Sequence, residues 1–188
     1  MKNLICMSAP SGSGKTTLCK AIREAKPELI WSVSYTTRRP RHNEINGEDY
    51  NFISKEEFIS LIDNEKFAEY ENVHGQYYGT IKYKLEDGIK KNKIVLLDLD
   101  VNGAMSICRL YPNNAHSIFI VPQSIEHLRK RLKTRGSETN KIIEKRLKRF
   151  NKEIEYKDKF DTLLINDNIK VAINDFITTI NEITTGVN

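Results

Sequence analysis

The stretch Leu4-Ile5-Cys6-Met7-Ser8-Ala9-Pro10-Ser11-Gly12-Ser13-Gly14-Lys15-Thr16-Thr17 decides how the chain is read. The apolar run that ends at Ser8 has the length and flanks of a buried strand, and Lys15 to Ala25 predicts a helix that stops before Pro27. Between them lies a near match to G-x-x-x-x-G-K-[ST], in the strand-turn-helix setting that this motif requires. Glycines there let consecutive backbone N–H groups turn toward one anion at a helix N-terminus, where the helix dipole adds to the attraction. Lys15 is the candidate for reaching β- and γ-phosphates, and the Thr16 hydroxyl for meeting magnesium. Ala9 stands where the motif opens on glycine. It is tolerated if position 9 needs little positive-φ freedom.

Working outward, further apolar runs at Ile94–Leu97, Ser117–Val121 and Thr162–Ile165 alternate with helical patterns near 101–110, 124–134, 138–156 and 170–183. Uninterrupted apolar strands separated by helices predict an α/β fold, a parallel sheet flanked by helices. Asp98 follows the second run, at the carboxyl end of a central strand, where ligands of open α/β sheets gather. It is a candidate for a place near magnesium, through water, or else a helix N-cap. Residues 35–80 break the rhythm. They are rich in Tyr, Thr and charge, with strand-like pieces at Tyr50–Ile53, Phe67–Val73 and Gln76–Thr80. Ser54-Lys55-Glu56-Glu57 has the form of a capping box opening a short helix to about Asn64. This stretch predicts an inserted β-rich subdomain.

With 188 residues, 39% of them hydrophobic, the chain is sized for one globular domain. No apolar run approaches the roughly 20 residues of a membrane helix, and the run at Leu4 is too short for a signal-peptide core, so a cytoplasmic protein is expected. Cys6, Cys19 and Cys108 have no metal spacing and fall in apolar stretches, as buried hydrophobes in a reducing compartment do. His42, His74, His116 and His127 likewise show no metal or triad spacing. Of the net charge of +5, residues 129–152 hold eleven Lys/Arg against Glu138 and Glu144, leaving 19 basic and 23 acidic residues elsewhere, a balance of −4. A phosphate-rich partner is implied, nucleotide or nucleic acid.

The inserted segment narrows the choice. Ser32-Val33-Ser34-Tyr35-Thr36-Thr37-Arg38-Arg39-Pro40-Arg41 is crowded with phosphate donors, and Tyr50, Tyr77 and Tyr78 add hydroxyls. Paired arginines can grip the phosphate of a mononucleotide bidentately. Glu69, Thr80 and Asp100 contribute two carboxylates and a hydroxyl, which suit guanine: carboxylates accept from N1–H and the 2-amino group, and a hydroxyl can donate to O6. Adenine would leave those groups mismatched, and unpaired buried polar groups reject strongly.

These pieces, SAPSGSGKTTL, SVSYTTRRPR, Glu44 to Phe52, FAEYENVHGQYYGT, LLDLDVNG, RLKTRGSET, EKRL and IND, together resemble the guanylate kinases along essentially the whole chain. The resemblance implies a core (about 1–34, 81–125 and 157–188), a GMP-binding subdomain (about 35–80) and a helical lid (about 126–156) on a P-loop-type sheet. It implies transfer of the γ-phosphoryl group of ATP to GMP, with dGMP as a further acceptor and Mg2+ as cofactor. Ala9, Pro10, Ser11, Gly12, Ser13, Gly14, Lys15 and Thr16 would cradle the ATP phosphates, with Asn166 near adenine. Arg38, Arg41, Tyr50 and Tyr78 would take the GMP phosphate. Ser34, Glu69, Thr80 and Asp100 would read guanine, with Gly79 in the same pocket. Arg131, Arg135 and Arg146 would belong to the lid. Asn43 departs from the glycine usual before the acidic residue. Three other readings compete: a catalytically silent phosphopeptide-docking module, a kinase for another phosphate monoester, and a nucleic-acid binder. The retained Lys15, Thr16, Asp98 and lid arginines oppose the first, and the guanine-reading set opposes the second. The third rests on residues 129–152 alone. Specific nucleic acid and membrane are not expected as partners, and a homo-oligomer is left open.

Overall fold

The structure, a computed structural model, describes residues 2–10, 12–73, 75–122, 124–134 and 140–185. The fold is α/β. Its principal sheet runs in the order β2-β7-β1-β8-β9, from β1 (Leu4–Ser8), β2 (Ile30–Ser32), β7 (Val95–Asp98), β8 (Ala115–Val121) and β9 (Thr162–Ile165). β2 is parallel to β7, and β8 is parallel to β9. β1 is buried at every position, which is why it reads as an unbroken apolar run and not an alternating one. No described helix is long and apolar enough to cross a membrane.

Two compact units are described separately. The first comprises residues 7–27 and 116–188. Its helix α1 (Lys15–Ala25) matches the predicted span, buries Leu18, Cys19 and Ile22, and packs with α7 (Ile169–Thr185). Helices α5 (Ile125–Thr134) and α6 (Asn140–Glu153) pair around Leu128, Leu132, Ile143, Leu147 and Phe150. An Arg129–Glu144 ion pair of 2.9 Å joins them at the surface. α6 runs on into a 3-10 turn, Ile154–Lys159.

The second unit comprises residues 2–6 and 28–115. Here a four-stranded sheet runs β4-β3-β6-β5, from β3 (Tyr35–Thr36), β4 (Asn51–Phe52), β5 (Phe67–Val73) and β6 (Gln76–Ile81). α2 (Lys55–Asp63) opens on the predicted capping box, with Ser54 Oγ accepting from the Glu57 N–H and the Glu57 carboxylate from the Ser54 N–H. Its Phe58 lies fully buried against Phe67 (ring centroids 4.4 Å apart) and Tyr77 (5.3 Å).

The expectation fell short in three places. β2 and β3 are only three and two residues long, below the length at which periodicity speaks. The helix α3 (Lys82–Lys90) was not expected at all: its pattern is broken by Gly88, a poor helix former. The structure shows why glycine is kept there. A Cβ on Gly88 would lie 2.4 Å from Val95 Cγ2, so the helix approaches β7 closer than any side chain permits. Gly88→Ala therefore opposes a propensity gain of about 1 kcal/mol to an overpacking cost of about 1–3 kcal/mol. We expect a net loss of stability in urea melts, partly recovered when Val95→Ala is added. A Gly88→Ala protein more stable than wild type would contradict this packing.

Candidate active site

In the first unit, the turn from β1 into α1 is made by Gly12 (φ 91°) and Gly14 (φ 85°), both in the left-handed region that disfavours side chains. A Cβ on Gly12 would also meet Leu128 Cδ1 at 2.9 Å. Ala9 has no positive φ, so the missing first glycine imposes no strain. Helix α1 begins with no side-chain cap and no acid in its first turn, unlike α2. A helix N-terminus without a side-chain cap is of the kind that receives anions. Lys15 is half-buried and Thr16 exposed in that first turn, and Ser11 lies outside the described residues. Asn166, just past β9, donates from Nδ2 to the Ser13 carbonyl (2.9 Å) in a buried contact. Expected near adenine, its side chain also anchors the loop from the far end of the sequence.

The second unit collects the acceptor candidates at two neighbouring places. At the first, a register shift between Phe67 and Glu69 sets Glu69 opposite Thr80 on β6. The Thr80 hydroxyl donates to Glu69 Oε1 (2.5 Å). Asp100 is the N-cap of α4 (Val101–Leu110), its Oδ1 accepting from the Gly103 N–H (2.7 Å). A Cβ on Gly103 would lie 3.0 Å from Glu69 Oε2 and 3.1 Å from Asp100 Oδ1, so that glycine lets the two carboxylates share one corner. Gly79 is bare for a different reason: a Cβ there would strike Phe67 (2.9 Å) and Phe58 (3.0 Å). Ser34, between β2 and β3, accepts the Asn51 N–H at its carbonyl (2.8 Å).

At the second place, the Arg38 guanidinium lies over the Tyr50 ring (5.4 Å), and Tyr50 meets Tyr78 edge to face (6.0 Å). Arg38 is held bidentately by Glu44, Nη1 to Oε2 and Nη2 to Oε1, both 2.9 Å. Each partner strengthens the other's charge, pushing the Arg38 pKa up and the Glu44 pKa down. Glu44 was quoted in the matching run but given no role, because a contact six residues apart across a turn follows no helix or strand period. Arg41 is in the same turn, its side chain mostly in solvent. Asn43 has no positive φ, so its departure from glycine is harmless.

Asp98 ends β7, and the helix cap that it was weighed for is taken by Asp100. Among the described residues no three metal-binding side chains cluster. Magnesium takes most of its ligands from water and substrate phosphates and needs few hard oxygens from protein. Thr16 and Asp98 are of the right kind. In the lid segment Arg131 belongs to α5 and Arg146 to α6, while Arg135 lies outside the described residues.

The chain is similar to known proteins over nearly its whole length. The guanylate kinase family model matches residues 1–183. The chain belongs to the guanylate kinase family. A guanylate kinase of Fusobacterium nucleatum is 44% identical over 177 residues, which are 94% of this chain and 95% of that protein. Another from Prochlorococcus marinus is 42% identical over 170 residues, 90% of this chain and 92% of its own. The crystal structure of guanylate kinase from Anaplasma phagocytophilum superposes with a TM-score of 0.80 at 30% identity, covering 97% of this chain and 86% of that one. Membership makes the protein an enzyme of the nucleoside monophosphate kinase class.

Glu69 is held above the usual carboxylate range. Burial pushes the Glu69 pKa from 4.5 up to about 7, and the nearby Asp100 and Glu71 add to the rise against the lowering effect of Thr80. Between those pH values the folded protein keeps a proton that the unfolded chain has released. Its contribution to stability is therefore lost as pH rises from about 4.5 to 7. Glu69→Gln cannot ionise, so its stability relative to wild type should rise across that window, read by urea denaturation at several pH values. A difference that does not change with pH would mean that Glu69 titrates as an ordinary surface acid.

Proposed function

We propose that this enzyme transfers the γ-phosphoryl group of ATP to GMP, giving ADP and GDP, and accepts dGMP at the same site. The observation that carries the reading is the Glu69–Thr80 pair at 2.5 Å with Asp100 at the same corner. The two carboxylates can accept from guanine N1–H and the 2-amino group, and the Thr80 hydroxyl, whose one hydrogen goes to Glu69 Oε1, can turn it to O6 when the base enters; no other standard nucleobase presents two adjacent donors beside one acceptor. Ser34 completes the base site. Arg38, Arg41, Tyr50 and Tyr78 hold the acceptor phosphate, with Gly79 beside them.

Residues 9–16 bind the ATP phosphates, with Asn166 near adenine. Lys15 neutralises β- and γ-oxygens, and Arg131, Arg135 and Arg146, on a lid of residues 126–156, bring further positive charge. Magnesium, with Thr16 and Asp98 nearby, supplies charge neutralisation across the phosphates when bound. No side chain is required as a general base, since the acceptor is already an anionic phosphate. Exclusion of water, the competing acceptor, falls to closure over the substrates. Cytoplasmic purine nucleotide metabolism is the setting that this reaction implies.

Coupled measurement of ADP release with GMP, dGMP, AMP, dTMP or no acceptor tests the reading. Turnover should require GMP or dGMP, and equal rates with AMP would overturn it. Lys15→Met should lower kcat by at least about 10²-fold with GMP affinity nearly unchanged, as when one preorganised donor is lost. Arg135→Ala and Arg146→Ala should each cut kcat strongly in folded protein, and Lys130→Ala and Lys141→Ala, matched in charge, far less. Equal effects from all four would point to bulk charge and away from a lid.

A further inference from the structure

Arg38 is far better ordered by its surroundings than its neighbour Arg41. Their side chains are 17% and 77% exposed, although both lie beside Glu44. The difference lies in what Glu44 does for each. It takes both Nη groups of Arg38 at 2.9 Å, but meets Arg41 Nη1 only at 3.8 Å. The Arg39 carbonyl takes a further hydrogen of Arg38 Nη1 (2.8 Å). The same Glu44 carboxylate accepts the Arg41 backbone N–H (2.7 Å), and the Glu44 N–H returns a bond to the Arg41 carbonyl (3.1 Å). Glu44 is itself only 15% exposed.

We propose that Glu44 is the positioning residue of the acceptor-phosphate subsite, holding the Arg38 guanidinium and the Arg41 backbone in gripping position before the nucleotide arrives. The inference rests on the GMP reading above. A guanidinium has five N–H donors, and it grips oxyanions with either its Nη1–Nη2 edge or its Nε–Nη2 edge. Glu44 occupies the first edge and the Arg39 carbonyl the remaining Nη1 hydrogen. The Nε hydrogen and the second Nη2 hydrogen form the other edge; the Tyr78 hydroxyl also hydrogen-bonds Arg38, and the two side chains can take a phosphate together without releasing Glu44. The Tyr50 and Phe52 rings lie 5.4 and 5.7 Å from the guanidinium carbon and restrict its swing.

Removing Glu44 has two opposed effects. Arg38 gains net positive charge toward a phosphate, which favours binding. It also gains the freedom that Arg41 already shows, and a long side chain's rotamer entropy must then be given up on binding. The first effect adds no contact, whereas the second loosens the grip itself, so the second prevails.

Glu44→Ala and Glu44→Gln should raise KM for GMP about tenfold or more, the order expected when a gripping group is misplaced. KM for ATP should stay within about twofold of wild type. Calorimetric titration with guanosine, which lacks the phosphate, should give unchanged affinity. Glu44→Ala added to Arg38→Ala should cost little beyond Arg38→Ala alone, because Glu44 works through Arg38. Glu44→Gln keeps an acceptor for the Arg41 N–H and stands in if Glu44→Ala loosens the turn. Wild-type affinity for GMP in both variants would overturn the inference, as would guanosine weakened as much as GMP, or a full penalty retained beside Arg38→Ala. Wild-type turnover of GMP tests the underlying reading alone, so the two failures are told apart.

Discussion

A strand that must turn at once into a helix while aiming its backbone N–H groups at one point needs residues with φ near +90°, and here those are Gly12 and Gly14. Much in the first unit is arranged about that turn. The Asn166 amide holds the Ser13 carbonyl, so the loop is fixed from β9 as well as from β1. Leu128 of α5 packs so close to Gly12 that a methyl group would not fit between them. A loop held on two sides has less freedom to give up on binding, and preorganisation of that kind strengthens a site.

The acceptor pocket is governed by a different cost. Glu69 is half-buried where ionisation is disfavoured, and a glycine lets Asp100 share the same corner. Two carboxylates close together disfavour each other's ionisation. They become favourable when a ligand with two adjacent donors enters, and a base lacking those donors leaves the cost uncompensated. The β-bulge at Ala68 serves this arrangement, since without the register shift Glu69 and Thr80 would not stand opposite each other.

The fold was legible where one physical signal dominated. β1, α1 and the α2 capping box match expectation because unbroken burial, a glycine-rich turn and reciprocal capping each leave a local mark, and β9 matches its apolar run although only Leu164 in it is buried. The signal failed where structure answered to something distant. α3 hides behind Gly88, whose reason is a valine on another element. Asn166 reaches Ser13 across 153 positions of chain, and a resemblance that placed it near adenine gave no hint of that bond. Glu44 lay inside a quoted motif but showed its part only when the turn brought it against Arg38. Chemistry-bearing residues announce themselves by type, whereas the residues that hold them in place do so only by contact.

Charge is distributed between the parts in a way that follows from the task of bringing two anions together. Residues 28–115 carry 11 basic and 14 acidic residues, and Arg38 is paired there with a carboxylate. The positive excess sits in residues 129–152. If the acceptor unit carried that excess itself, any polyanion would be held by long-range attraction, with little regard to its base. On the proposed reading, with Arg38 half-neutralised by Glu44, attraction at a distance is weak, and binding rests on short, directed contacts that a correctly shaped monophosphate completes. Separating bulk charge from placed charge therefore lets the acceptor site discriminate, while the neutralisation needed to bring a second phosphate close comes from another segment of the chain.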